Sequence, residues 1–174
     1  MITQSYQEQI AAILRELGIP DDYGFTRGLD LQPEETDLEV ARVLSDGRTL
    51  RLSRSILPRW NDMVRAAIGD GITLLLISGF RSVDHQRTII EGKLAKGISM
   101  VDILKVNAAP GFSEHHTGRA VDIGSPGCSP LSEAFEMTEA FAWLTRNAGK
   151  FGFRMSYPRG HFSGFIYEPW HWIG

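Results

Sequence analysis

Residues 113–123 read Ser-Glu-His-His-Thr-Gly-Arg-Ala-Val-Asp-Ile. Ala120 to Ile123 has the apolar character of a strand, yet Asp122 lies inside it. A carboxylate in a half-buried strand is costly unless something positive pairs with it. A metal ion or an arginine would serve. Gly118 offers a turn, and His115, seven residues before Asp122, can approach the same point from the other limb. Near the end of the chain, Glu168-Pro169-Trp170-His171 offers a second imidazole and a further carboxylate. Two histidines and one carboxylate, with water in the fourth position, make a catalytic zinc arrangement. An unligated glutamate beside them is what metal-assisted hydrolysis needs as general base.

Each of these residues also has a plainer reading. Asp122 could pair with Arg119 or Lys105, Glu168 could be a solvated loop residue, and Trp170 and Trp172 could be packing anchors. The other histidines, His85, His116 and His161, read as structural or surface residues, although His116 could line a site formed by its neighbour.

Working outward, Tyr6, Ile10, Ile13, Leu14 and Leu17 recur at helical spacing and Gly18 follows as a stop. A hairpin is expected around Asp46-Gly47. Trp60, Met63, Val64 and Ala67 mark one face of a second helix, and the apolar run Ile72–Ile77 reads as a buried strand. Ser82 can cap a helix through about Leu94, and Ser99 a shorter one to about Val106. Thr138 precedes a helix carrying Phe141, Leu144 and Ala148. Phe153–Met155 and Phe165–Tyr167 read as late strands. Helices around a small, antiparallel sheet give an α+β class.

Composition bounds the function. The 174 residues suffice for one domain with a proper core, and the 43% hydrophobic content is that of a globular chain. A net charge of −3 argues against a nucleic-acid partner held by a basic face. Cys128 is the sole cysteine, so neither an intramolecular disulfide nor a cysteine-rich zinc finger is available. No apolar run is long enough for a membrane span. MITQSYQEQI lacks the pattern of a secretory leader. That leads to an expectation of a cytoplasmic protein or one released by a non-classical route, or of a periplasmic or cell-wall protein whose leader has been removed.

Ser113-x-His115-x-x-Gly118-x-Ala120-x-Asp122, followed by Glu168-x-Trp170-His171, resembles the zinc D-alanyl-D-alanine carboxypeptidases of the VanY type. Their wider group contains D-Ala-D-Ala dipeptidases, phage endolysin peptidases and the Hedgehog signalling domain. Ser78-Gly79-Phe80-Arg81-Ser82 with Gln86 is similar to an upstream block of the same family, as are Pro110–His115 and Phe151–Pro158. Phe80 stands where the family usually has tyrosine, and His116 where glutamine is more common. The likeness covers roughly residues 55–172, while residues 1–50 read as an N-terminal extension packed on a catalytic domain at 51–174.

The resemblance implies a Hedgehog/DD-peptidase-like fold and one zinc ion per chain, held by His115, Asp122 and His171. It implies Glu168 as catalytic base and Arg81 over the scissile carbonyl, with Ser113 and Gln86 holding the substrate's C-terminal end. For Arg81 the plainer alternative is an ion pair with Asp84 or Asp62; Arg154 and Tyr157 could reach the pocket but read as structural. The implied substrate is a peptidoglycan stem peptide or another D-Ala-D-Ala-containing peptide. The alternatives with the same site are an L,D-carboxypeptidase, a D-Ala-D-Ala dipeptidase and an endolysin endopeptidase. A non-catalytic zinc-stabilised binding module is the alternative of a different class.

Overall fold

Local signals place most of the helices. In a computed structural model, which describes residues 2–174, α1 spans Gln4–Glu16 and starts where the Thr3 hydroxyl accepts the Tyr6 N–H. A short α2, Tyr23–Arg27, follows and was not evident in the sequence pattern. Strands β1 (Leu38–Val43) and β2 (Thr49–Ser53) pair antiparallel across the Asp46-Gly47 turn, where Asp46 Oδ1 accepts the Arg48 N–H at 3.0 Å. Next come α3 (Leu57–Gly69), β3 (Leu75–Ser78), α4 (Val83–Leu94) and α5 (Met100–Val106). Ser82 and Ser99 cap α4 and α5 as their positions predict. A 3-10 turn at Glu114–Thr117 leads into β4 (Ala120–Gly124). The chain closes with α6 (Glu139–Asn147), capped by Thr138, and strands β5 (Arg154–Met155) and β6 (His171–Ile173).

The second sheet has the order β3-β4-β6-β5 and all its pairs are antiparallel, so the α+β expectation holds. Two strand assignments need correction. The run Ile72–Ile77 becomes strand only from Leu75, because the Ile72 N–H is taken by Ala67 O at the close of α3. Phe165–Tyr167 forms no strand. Its Ile166 N–H makes a lone bond to Lys105 O, and the late strand is β6, the segment that carries the second histidine. Among the described residues no helix is long and apolar enough to cross a membrane.

Two clusters hold these elements. Leu76, Val121, Ile123 and Trp172 from the sheet pack against Trp60, Met63 and Ala67 of α3 and against Ala140, Trp143 and Leu144 of α6. The second cluster joins Ile10, Ile13 and Leu14 of α1 to Val83, Leu104, Phe112, Tyr157 and Phe165. Burying such a side chain is worth about 1.5–3 kcal/mol. Ile10 shows how tight the second cluster is. Gly111 has φ +86°, and a Cβ there would come within 2.7 Å of Ile10 Cγ2. Ile10→Ala is expected to lower unfolding free energy by about 2–4 kcal/mol, with an unchanged denaturant slope, in an equilibrium urea titration.

Candidate active site

The sheet register brings the key groups together. Asp122 in β4 lies opposite His171 in β6, and an irregularity in β3 sets Ser78 opposite Asp122 on its other side. His115 arrives from the 3-10 turn before β4. That turn ends at Gly118, where φ is +64° and a Cβ would stand 2.9 Å from the Ser53 nitrogen, so only glycine fits. His115 Nε2 is 3.3 Å from Asp122 Oδ2, and His171 Nδ1 is 3.0 Å from Asp122 Oδ1. All three side chains are buried.

Each imidazole has one nitrogen committed elsewhere. His115 Nδ1–H donates to Gly79 O at 2.7 Å, which leaves Nε2 facing Asp122. His171 Nε2–H donates to Glu114 Oε2 at 2.9 Å, which leaves Nδ1 facing Asp122, with Glu168 Oε2 at 3.9 Å. Glu114 is held in turn by the Ser156 hydroxyl. Histidines that ligate a metal are oriented in this way by an acceptor on the far nitrogen.

The donor set fits zinc. One ligand atom from each of His115, Asp122 and His171 lies within 4.8 Å of the others. Ligands at about 2.0–2.1 Å from a tetrahedral zinc stand roughly 3.3 Å apart, close to the two separations from Asp122.

Electrostatics point the same way. Burial alone would raise the Asp122 carboxyl, but the two imidazoles outweigh it and hold it well below the usual range. Burial also disfavours charge on His171, yet its bonds to Asp122 and Glu114 carry it up to about 10. Burial pushes Glu168 up to about 7, aided by Asp122 and opposed by His171 and Arg81.

The structure sorts the remaining candidates. Arg81, Ser113, His115, Asp122, Glu168 and His171 line one cavity of about 240 Å³. Tyr157 joins them, its ring centroid 4.9 Å from that of His171, whereas Arg154 is not among the lining residues. Gln86 is a correction to the sequence assignment. It is fully buried away from the cavity, with Oε1 accepting from Arg81 Nη1 at 2.9 Å and Nε2 donating to Ala108 O at 2.7 Å. Both ends of its amide are taken, so it holds Arg81 rather than substrate.

The plainer partners are also engaged elsewhere. Asp62 pairs with Arg65, Lys105 with Asp102, and Arg119 Nε donates to Gly174 O. Glu114 and Ser156 went unnoticed in the sequence, because an acid beside a histidine and a lone serine look like ordinary surface residues.

The profile of the VanY D-alanyl-D-alanine carboxypeptidase family matches residues 49–173. The chain belongs to this family. A D-alanyl-D-alanine carboxypeptidase of Enterococcus faecalis is 33% identical over 150 residues, covering 80% of this chain and 53% of that protein. The chain thus spans about half the length of that relative. The LdcB LD-carboxypeptidase superposes with a TM-score of 0.72 at 32% identity, covering 80% of this chain and 68% of that one. A VanY D,D-pentapeptidase in complex with Zn(II) gives 0.64 at 31% identity, covering 83% and 82%.

Within this family chain, His116 is structural. It is fully buried, accepts the Gly111 N–H at Nε2 (3.1 Å) and donates from Nδ1 to Arg81 O (2.6 Å). Both bonds need the neutral ring, and burial lowers its pKa to about 4. The unfolded chain binds a proton at about 6.5 and the native state does not, so stability falls as pH drops from about 6.5 to 4. A glutamine amide can donate and accept at the same two points without titrating. His116→Gln is therefore expected to remove roughly 2–3 kcal/mol of the stability difference between pH 7 and 4.5, read from denaturant unfolding at both values. Glu114→Ala frees the far nitrogen of His171 and should weaken zinc binding about 10–100-fold in a chelator competition.

Proposed function

We propose that the chain is a zinc-dependent carboxypeptidase that removes the terminal D-alanine from peptidoglycan stem peptides. The observation that carries this is the Glu168 carboxylate, buried beside the His115–Asp122–His171 set in a cavity that Arg81 also lines. His115 Nε2, Asp122 and His171 Nδ1 would hold the metal. Bound there, zinc acidifies a water toward pKa 7 and polarises a carbonyl oxygen.

Glu168 takes the proton of the attacking water. Burial in a partly apolar cleft raises its basicity to the level this transfer needs at neutral pH. The same carboxyl then delivers the proton to the leaving amine, which must depart protonated. Arg81 faces the developing negative charge on the carbonyl oxygen. Its guanidinium is aimed by Gln86 Oε1 at 2.9 Å and Ser78 Oγ at 3.4 Å, and its backbone carbonyl is pinned by His116. Ser113, two residues before His115, lines the cavity and can bond the peptide's C-terminal end.

The likeness to LdcB favours a second reading, an L,D-carboxypeptidase acting on tetrapeptides. The same catalytic atoms serve both, and the walls of the cavity choose between them.

The test is incubation of the zinc-loaded protein with stem pentapeptide and tetrapeptide, followed by mass spectrometry. Chelator-sensitive loss of one alanine from the pentapeptide supports the first reading, and from the tetrapeptide the second. Two intact peptides would overturn both. Glu168→Gln should keep its zinc by elemental analysis while kcat falls about 10²–10⁴-fold; retained turnover would sink its role as base.

A further inference from the structure

Two cations line the cavity, and only Arg81 feels the charge of nearby acids, Asp122 and Glu168. Lys93 sits in the last turn of α4, half-buried, and lines the same cavity as Arg81. Its Nζ donates to Asn107 Oδ1, and Asn107 lines the cavity too. Among the described residues no carboxylate lies within 4.0 Å of Lys93, whereas Lys105, Arg54, Arg87 and Arg159 each have one. Burial and the nearby charges of Arg81 and Lys96 pull its pKa below the usual lysine range. A partly desolvated ammonium that faces a guanidinium is destabilised until an anion joins them.

Arg81 is differently placed. Gln86 and Ser78 occupy two of its N–H groups, and Asp122 and Glu168 supply its countercharge. With a dication on His115, Asp122 and His171, the groups facing the cavity are net positive. Asp122 and Glu168 cannot neutralise a dication and Arg81 together, so Arg81 and Lys93 share the excess positive charge.

We propose that Lys93, oriented by Asn107, binds the terminal carboxylate of the peptide and so makes the site favour chain ends over internal bonds. This rests on the hydrolytic reading for what occupies the metal side of the cavity, but it concerns a separate group of the substrate. An acidic side chain elsewhere in the peptide offers the same chemistry, and the experiment separates the two sources.

The background is zinc-loaded Glu168→Gln, in which bound peptide survives. Binding of diacetyl-Lys-D-Ala-D-Ala and of its C-terminal amide is measured by calorimetry. The free acid should bind about tenfold more tightly or better, as a charge-assisted hydrogen bond implies. Adding Lys93→Met should collapse that ratio toward one, and Lys93→Arg should restore much of it, with zinc affinity and Tm unchanged in both. A merely structural lysine would weaken acid and amide alike, and that result overturns the proposal. So does an unchanged ratio or absence of free-acid binding at millimolar concentration; the probe's terminal carboxylate is its only acid, so no acidic side chain can produce the preference. The two readings fail separately. Intact stem peptides in the wild-type assay remove the hydrolytic reading, while an unchanged acid-to-amide ratio removes this one even if peptide is cut.

Discussion

The structure is organised around a carboxylate in the wrong place. Asp122 sits in the middle of a strand whose five residues are all buried, between two imidazoles at 3.0 and 3.3 Å. A solitary buried carboxylate would cost several kcal/mol. Here the cost is offset by a geometry that the backbone imposes, since β6 is in register with β4 at that residue. The neighbouring residues of the same strands, Val121, Ile123 and Trp172, belong to the main core. Packing on one face of the sheet therefore fixes the polar set on the other. A slip of one residue in β4 would turn Asp122 into the core and Val121 into the cavity, and a slip in β6 would do the same to His171 and Trp172.

A second layer holds the first. Glu114 fixes the free nitrogen of His171, and Gly79 O that of His115. Gln86 and His116 act on Arg81, one through its guanidinium and the other through its backbone. These groups share a principle. The two imidazoles and the Arg81 guanidinium are each aimed by a hydrogen bond on the far side, so their geometry exists before a ligand arrives. Preorganisation of this kind is what makes charged groups effective in a cleft that excludes water.

The sequence revealed the first layer and most of the scaffold, for identifiable reasons. Caps at Ser82, Ser99 and Thr138 and the helical spacing around Ile10 and Trp60 are local signals, and local signals survive folding. The ligand candidates stood out because an aspartate in an apolar run conflicts with its surroundings. The second layer was illegible because its evidence is non-local. Glu114 meets His171 across 57 positions of chain, and Gln86 shows its role only once Ala108 O and Arg81 have taken both ends of its amide. Phe165–Tyr167 misled for a related reason. Its apolar side chains suit a strand, but Phe165 is buried against Tyr157 in a loop beside the cavity, and the ladder forms further on at His171.

The first forty-eight residues lie outside the family match, yet they bear on the site. The cluster that includes Ile10, Ile13 and Leu14 of α1 also contains Tyr157 and Phe165, and both aromatics line the cavity. Tyr157 packs edge-on to Phe165 with ring centroids 4.8 Å apart, and Arg27 of α2 lies over the Phe165 ring. The Arg27 guanidinium also donates to Leu104 O, tying α2 to the helix whose end borders the cleft. His115, Asp122, Glu168 and His171 all lie within the family match. Part of the cavity wall is braced by a segment outside that match. The cavity wall therefore depends on packing from both sides of the boundary of the family match: Tyr157 and Phe165 lie within it, and the helix that buries them lies outside.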